Sequence, residues 1–231
     1  AQAGNVATGA FDAFGPIADA CAKHQAWLHV DGAFGLWAAA APTTRHLTAT
    51  VERADSWAVD AHKWLNVPYD GAMAIVADAD AHLAAMSLAG PYLVADPGQR
   101  DNTNFVPESS RRARAVPVYA AIRSLGRAGI TEMIERNCAQ ARRMAKQLAD
   151  IPGAQVLNDV VLNQVLVRLP GGDDANRAAV AAIQRDGTCW LGGTTWNGEY
   201  VVRVSMSNWA TTDEDVDRSA AAIAAAVTEP A

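Results

Sequence analysis

The stretch SWAVDAHKWL at residues 56 to 65 is a short apolar run that ends on Asp60, His62 and Lys63. The large indole of Trp64 follows the lysine directly. A lysine amine is a poor nucleophile while it is protonated, so enzymes that use one place it beside apolar walls or other cations. The pattern indicates a lysine that reacts with a carbonyl group. The alternative is an ordinary cation at a strand end whose stem lies along Trp64.

A second apolar run, AWLHVDGAFG at residues 26 to 35, also ends on an acid that small residues follow. Open α/β sheets bind ligands at the carboxyl ends of their strands, so we predict that Asp31 and Lys63 face one crevice. A pyridoxal phosphate site needs both, because a lysine holds the aldehyde as an imine and a carboxylate keeps the pyridine nitrogen protonated. Gly32 and Ala33 are expected to leave room for the flat ring. A helix N-cap or an ion pair with Lys63 is the alternative role for Asp31.

Three sequence motifs can be compared with known families: GNVATGAFD at 4 to 12, HVDGAF at 29 to 34 and DAHKW at 60 to 64. Together they resemble the group II pyridoxal-phosphate-dependent amino-acid decarboxylases, relatives of the aromatic amino acid, glutamate and histidine decarboxylases. The resemblance implies an α/β protein of fold-type I. Residues 1–108 are expected to form the C-terminal part of the large mixed-sheet domain, and residues 109–231 the linking helices and a small α+β domain.

The same resemblance assigns roles to individual residues. It implies that Lys63 forms the imine with pyridoxal 5'-phosphate, that Asp31 pairs with the pyridine nitrogen, and that Ala33 packs on one ring face. His62 is expected near the phosphate and the substrate carboxylate, and is counted with Lys63 and Asp31 as catalytic. The full set of implied cofactor-binding residues is Lys63, Asp31, Ala33, His62, Asp60 and Asn5. Asn5 occupies a place where relatives often have threonine.

The implied reaction is the loss of carbon dioxide from an amino acid joined to the cofactor as an external aldimine. Arg203, within VVRVS, is the candidate for orienting a carboxylate, because its planar guanidinium matches that group in two contacts. An interdomain ion pair is its alternative role. Decarboxylases of this family carry a tyrosine late in a mobile loop, and residues 93 to 107 contain none. The choice between an amine and an aldehyde product therefore stays open.

The resemblance also implies a homodimer, and family members carry about as much sequence again ahead of the first motif. We therefore expect the C-terminal part of a longer enzyme. Two alternatives stay open. One is a non-catalytic or split subunit that needs a separate N-terminal partner. The other is a metal-dependent hydrolase, since imidazole and carboxylate groups bind zinc or manganese; its ligands would be His29, Asp31, Asp60 and His62.

Composition narrows the class of protein. The chain has 231 residues, half of them hydrophobic, which is enough for a substantial core. Its net charge of -6 argues against a nucleic-acid partner, and RRAR at 111 to 114 is interpreted as a solvated helix face or a carboxylate-pairing patch. Three widely separated cysteines favour a reducing, cytoplasmic setting without a disulfide framework or zinc ribbon. No run approaches the ~20 apolar residues of a membrane span.

Periodicity and turn residues predict alternating strands and helices, which implies a parallel or mixed sheet. The predicted helices cover residues 12–25, 43–53, 109–126, 130–148, 173–186 and a last helix that Thr212 and Asp215 cap. The predicted strands lie near 26–31, 55–60, 71–77, 161–169 and 200–207. GAMAIVA at 71–77 is expected to be fully buried. Residues 88–108 break every periodicity and are typical of a lid or a disordered loop.

Overall fold

The computed structural model describes residues 1–87, 98 and 100–228 of the chain. Its α-helices are α1 (Phe14–Lys23), α2 (Ala79–Met86), α3 (Ala115–Ala149), α4 (Gly172–Asp186) and α5 (Asp213–Thr228). Its strands are β1 (His29–Asp31), β2 (Ser56–Asp60), β3 (Ala72–Val76), β4 (Gln155–Val156), β5 (Gln164–Arg168), β6 (Gly192–Trp196) and β7 (Glu199–Ser205). Within the described ranges, no helix combines the length and the hydropathy needed to cross a bilayer.

The first sheet has the order β1-β2-β3 and is mixed, as predicted. β1 and β2 are parallel, with Asp31 opposite Ala58, whereas β3 runs antiparallel to β2, with Ala72 opposite Asp60. The carboxyl ends of β1 and β2 therefore lie at the same edge of the sheet. This register brings the two charged strand ends of the sequence motifs to one side of the molecule.

The prediction that residues 71–77 are fully buried is wrong. Strand β3 has no buried residue, and Ile75 is 44% exposed. The strand pairs only with β2 and forms the edge of this sheet within the described part of the chain. An apolar run identifies a strand, but its burial depends on neighbours that the run does not encode.

The second sheet has the order β4-β5-β7-β6, and its neighbouring strands are antiparallel. Helices α3, α4 and α5 supply apolar side chains to its core, among them Leu148, Ile183 and Ile223. The sequence analysis identified β5, β7 and α4 but not the short β4 or the glycine-rich β6. Glycine and a two-residue length both weaken a strand signal.

Helix α3 joins the two sheets. The 35-residue segment Ala115–Ala149 is interrupted at Gly126, whose φ of 60° and ψ of -175° are not helical. The predicted pair of helices at 109–126 and 130–148 is therefore close to what forms. Ile130 and Ile134 pack in the core that contains Lys63's neighbour Trp64, and Met144 packs against the second sheet.

Residues 43–53, predicted as a helix, instead form short 3-10 turns at Arg45–Thr48 and Val51–Arg53. Threonine hydroxyls bond to nearby backbone carbonyls here, for example Thr48 Oγ1 to the carbonyl of Arg45 at 2.8 Å. Thr50 lies in the left-handed region with a φ of 66°. These local bonds compete with the helical hydrogen-bond pattern, and β-branched side chains add to the penalty.

The predicted cap of the last helix is present. Thr212 Oγ1 accepts from the amide of Asp215 at 3.2 Å, and Asp215 Oδ2 accepts from the amide of Thr212 at 2.9 Å. Of the loop predicted at 88–108, residues 88–97 and 99 lie outside the described residues, and Asn102–Phe105 form a 3-10 turn. The division of the chain between residues 108 and 109 stays a proposal.

Candidate active site

Lys63 lies in the turn that follows β2. Its Nζ is 2.7 Å from Oδ2 of Asp60, and its side chain is 43% exposed. The next residue, Trp64, is fully buried, and its Nε1 donates to Oδ1 of Asn137 in α3 at 2.9 Å. The buried indole therefore fixes the backbone of the turn, while the amine beside it stays accessible.

Asp60 ties the two strand ends together. Its backbone amide donates to the carbonyl of Ala33 at 2.9 Å, which joins the end of β2 to the residues that follow β1. Its carboxylate pairs with Lys63 and is 3.8 Å from Nε2 of His62. The acid thus holds the lysine at the edge where β1 also ends.

Asp31 is the last residue of β1 and is exposed. Its Oδ1 accepts from the amide of Ala33 at 3.1 Å, so the side chain stabilises the turn after the strand. The ion pair of Lys63 is with Asp60. Of the two alternatives for Asp31, the cap-like bond to a following amide is what the structure contains, and this bond leaves the Oδ2 atom for other partners.

Two contacts hold the imidazole ring of His62. Its Nδ1 lies 3.0 Å from the carbonyl of Gly71, and its ring stacks on Tyr69 with 4.3 Å between centroids. Arg112 donates to the carbonyl of Tyr69. These contacts fix the imidazole plane and leave Nε2 on the side of Asp60.

Of the basic cluster at 111–114, Arg114 pairs with carboxylates, whereas Arg112 donates to a backbone carbonyl. Arg114 makes two hydrogen bonds to Asp70, at 2.6 and 2.9 Å, and lies 3.9 Å from Glu108. The hydrogen bond from Arg114 lowers the pKa of Asp70 from 3.8 to about 2. The cluster therefore joins the start of α3 to the loop beside His62.

Asn5 organises its own turn. Its Oδ1 accepts from the amides of Ala7 and Thr8 at 3.0 and 3.2 Å, and its Nδ2 donates to Gln2. These bonds use the acceptor oxygen within the turn. Asn5 consequently shapes the loop that carries Val6 toward Arg203.

Arg203 lies in β7 of the second sheet and contacts the loop that contains Val6. Its Nη1 donates to the carbonyl of Val6 at 2.9 Å, so its bond across the two parts of the chain is to a backbone oxygen and is not an ion pair. Arg203 and Lys63 line one cavity of about 220 Å³. The cavity is lined by Val6, Phe34, Lys63, Trp64, Asn163, Gln164, Arg203, Ser205 and Ser207.

Asn163 and Gln164 were missed by the sequence analysis. They are 1% and 4% exposed, and their Oδ1 and Oε1 atoms have no hydrogen-bond partner in the described part of the chain. The available signal was two adjacent amides within the apolar run VVLNQVLVRL. A buried strand rarely carries neighbouring polar side chains unless they meet partners.

The turn after Lys63 is joined to the loop after β7. Asn66 Nδ2 donates to the carbonyl of Ser207 at 2.9 Å and to that of Trp64 at 2.6 Å. The amide of Trp209 approaches Asn66 Oδ1 at 3.4 Å. One side chain therefore links the lysine turn to the second sheet.

The prediction that Gly32 leaves room for a ring needs correction. A Cβ atom there would lie 2.6 Å from Cβ of Leu36 and 3.2 Å from the carbonyl oxygen of Ala58. Close packing against Leu36 explains the small residue at this position. Ala33, one residue on, is half-buried at the same edge.

The groups at this edge have the chemistry that an aldehyde cofactor with a pyridine ring requires. The accessible amine of Lys63 and the guanidinium of Arg203 line one cavity, and the carboxylate of Asp31 ends the neighbouring parallel strand without lining that cavity. The residues present therefore fit the cofactor that the sequence motifs imply. The metal alternative has weaker support, because no three His, Cys, Asp or Glu side chains of the described residues are grouped to hold an ion.

Comparison with protein families gives a match over most of the chain. The family described as "Pyridoxal-dependent decarboxylase conserved domain" matches residues 1–170. An aromatic-L-amino-acid decarboxylase of Drosophila lebanonensis is 28% identical over 220 residues, which are 94% of this chain and 54% of that protein. A protein of the same name from Bacillus atrophaeus is 26% identical, over 94% of this chain and 48% of its own length.

Solved structures agree on the fold. The crystal structure of Oryza sativa TDC with PLP and tryptamine matches 99% of this chain and 50% of its own, with a TM-score of 0.90 and 24% identity. Mouse CSAD in its apo form matches with a TM-score of 0.86 and 22% identity, over 98% of this chain and 51% of its own. The predicted α/β fold is confirmed, and the chain spans about half the length of the relatives it matches.

Proposed function

Because this chain belongs to the pyridoxal-dependent decarboxylase family, we propose that it acts in the decarboxylation of an amino acid with pyridoxal 5'-phosphate as its cofactor. One observation supports the proposal above all others. Lys63, in the turn after β2, and Arg203, in β7, line one cavity, and Phe34 from the turn after β1 lines it too. Such a reaction first needs an amine that binds the aldehyde of the cofactor and a cation that binds the carboxylate of the substrate.

In this proposal each residue at the strand ends has one task. Lys63 is the covalent attachment point for the aldehyde, and Asp31 holds the proton on the ring nitrogen. Ala33 packs on one ring face, while His62 and Asp60 support the cofactor from the turn after β2. Asn5 shapes the first loop, so its role toward the cofactor is through the backbone that it orders.

When bound, the cofactor supplies a conjugated ring that accepts electrons from a breaking bond at the substrate Cα. The chain's own residues then determine which bond breaks. Arg203 binds the substrate carboxylate through donors that its bond to Val6 leaves over, and so orients that group relative to the ring. Phe34 and Trp64 form apolar walls of the same cavity.

The fate of the carbon that loses carbon dioxide is a separate question. An amine forms if a proton reaches that carbon, and an aldehyde if oxygen does. Residues 93 to 107 contain no tyrosine, the proton donor expected from the family resemblance. Product analysis for both compounds therefore belongs in every assay.

The number of subunits and the location are also proposals. We infer a homodimer in the cytoplasm, in keeping with the family resemblance and with three cysteines that are all free thiols. The exposed strand β3 favours a second candidate, a subunit that works only with a separate N-terminal partner. Assays of the chain alone and of the chain mixed with such a partner distinguish these two cases.

The attachment point can be tested directly, because the sequence contains only three lysines, Lys23, Lys63 and Lys146. After incubation with the cofactor and reduction with borohydride, peptide mapping should find the added mass on Lys63. Lys63→Ala should remove the label and the visible absorbance, whereas Lys23→Ala and Lys146→Ala should keep both. A label on another lysine, or no release of carbon dioxide from any amino acid with or without an N-terminal partner, would overturn the proposal.

A further inference from the structure

Two buried side-chain oxygens without a partner belong to residues that line the candidate cavity. They are Oδ1 of Asn163 and Oε1 of Gln164, on side chains 1% and 4% exposed. The orientation of Asn163 is fixed, because its Nδ2 donates to the carbonyl of Met206 at 2.8 Å. A flipped amide would place two oxygens against each other, so the free atom on this side chain is the acceptor.

The surrounding protein does not satisfy these atoms. Ser205 and Ser207 line the same cavity, but neither hydroxyl donates to the two amide oxygens. Buried polar atoms in folded proteins nearly always have a partner, and those that lack one commonly meet a ligand or an ordered water. Their position beside Lys63 and Arg203 favours a ligand.

The chemistry of the cavity restricts that ligand. Amide oxygens accept hydrogen bonds and repel carboxylate or phosphate oxygens, so the fixed oxygen of Asn163 is suited to an O–H or N–H group, and the Gln164 amide can turn to accept from the same group. Lys63 and Arg203 on the same cavity disfavour a second cation. Val6, Phe34 and Trp64 complete the wall with apolar surface. A neutral donor on an otherwise apolar side chain meets all three conditions.

We propose that Asn163 and Gln164 determine specificity by selecting a substrate whose side chain carries a neutral O–H or N–H donor. The inference rests on the proposed function, in which Arg203 binds the carboxylate of the same molecule. A substrate without the donor leaves the buried oxygen of Asn163 unpaired. Sites built to hydrogen-bond a substrate reject the analogue that lacks the group for this reason.

Binding of unreactive acids tests the inference without any turnover. The probes are 3-(4-hydroxyphenyl)propanoate and 3-(4-methylphenyl)propanoate, with 5-hydroxypentanoate and hexanoate as an aliphatic pair, titrated calorimetrically into the cofactor-loaded protein. In at least one pair the hydroxyl probe should bind about tenfold or more tightly. Asn163→Leu and Gln164→Met should bring this ratio close to one. Gln184→Met, a matched change at a residue that does not line the cavity, removes a bond to the Leu191 carbonyl and should leave the ratio unchanged.

Asn163→Leu also loses the bond to Met206, so its fold is checked by thermal unfolding. If it does not fold, Gln164→Met decides alone, because no hydrogen bond of the Gln164 side chain to a described residue is broken. An unchanged ratio in the folded variants means that the oxygens hold only water and overturns the inference, as does the absence of binding by all four acids. Failure of the proposed function is seen separately, as a missing label on Lys63 and missing carbon dioxide.

Discussion

At the scale of single residues, the candidate site depends on small contacts between backbones. Gly35 begins the 3-10 turn after β1, and a Cβ atom there would lie 2.1 Å from the carbonyl oxygen of Ala3. The first residues of the chain and the turn after Asp31 therefore touch without an intervening side chain. The loop that reaches Arg203 is positioned by this contact.

Gly35→Ala should consequently destabilise the protein by about 1–3 kcal/mol or more, because two backbone segments must separate. The matched control is Gly192→Ala in β6, where nothing lies within 4 Å of the added atom and φ is not positive. That change should alter stability by less than about 1 kcal/mol. Urea unfolding of both variants measures the difference, and equal effects would contradict the packing argument.

The hydrogen bond between Trp64 and Asn137 should couple the lysine turn to α3. Both side chains are fully buried. Asn137→Leu leaves the indole N–H unpaired and should cost about 1–3 kcal/mol of unfolding free energy. Adding Trp64→Phe removes the unpaired donor, so the double variant should lose less than the sum of the two single variants. A double-mutant cycle by chemical denaturation measures this coupling, and strict additivity would count against it.

The residue types of the candidate site were readable from the sequence, since Asp31 and Lys63 stand where apolar runs end. Their common edge follows from the parallel register of β1 and β2. The ion-pair partner of Lys63 could not be predicted from the sequence. The long lysine side chain can reach Asp60, three residues earlier, as easily as an acid on the neighbouring strand. The buried pair Asn163 and Gln164 was missed for another reason. The run around them is mostly apolar, so it predicts a buried strand and draws no attention to its two polar residues.

At the scale of elements, helix signals were more reliable than strand burial. The apolar face from Ile130 to Leu148 is buried as its spacing predicts. Strand β3 was located correctly, but it is exposed because, among the strands of the described residues, it pairs only with β2. Local patterns determine which element forms, whereas its burial is decided by chain segments distant in sequence.

The contact between α3 and α5 predicts a dependence of stability on pH. Arg143 makes two 2.6 Å hydrogen bonds to Asp217, and Gln147 adds a third. The bond from Arg143 lowers the pKa of Asp217 from 3.8 to about 2. Because the folded pKa is depressed, the stabilisation is complete above pH 4 and is lost as the pH falls through about 2.

Asp217→Asn should therefore unfold at a lower temperature than the parent at pH 6, and the difference should shrink steadily below pH 4. Glu214→Gln is the control on the same helix, since it removes the same charge and has no ion pair with a described residue. Its small effect should come from the helix terminus alone. Thermal melts at several pH values measure both. A difference for Asp217→Asn that persists at pH 2 would contradict the assignment.

At the scale of the whole molecule, α3 makes one structure of the two sheets. Ile134 of this helix packs with Trp64, and Met144 packs with Ile183 of α4 on the second sheet. A defect in either core should therefore reach the other through the helix. The two parts are expected to unfold together.

Ile134→Ala and Ile183→Ala test this expectation, because both side chains are fully buried and lie in different cores. Each should cost about 2–5 kcal/mol. For each variant, circular dichroism and tryptophan fluorescence should report one shared midpoint in urea. Two separate transitions in the Ile183→Ala protein would show that the second sheet unfolds on its own.

Asn66 has a consequence for engineering. Its side-chain amide joins the turn after Lys63 to the loop after β7, so any movement that separates these two segments must break this hydrogen bond. Smaller side chains on the lining residues would enlarge the inside of the cavity but would not change how far these two segments can separate. A library that aims at larger compounds should therefore begin with substitutions of Asn66, and some loss of thermal stability is the expected cost.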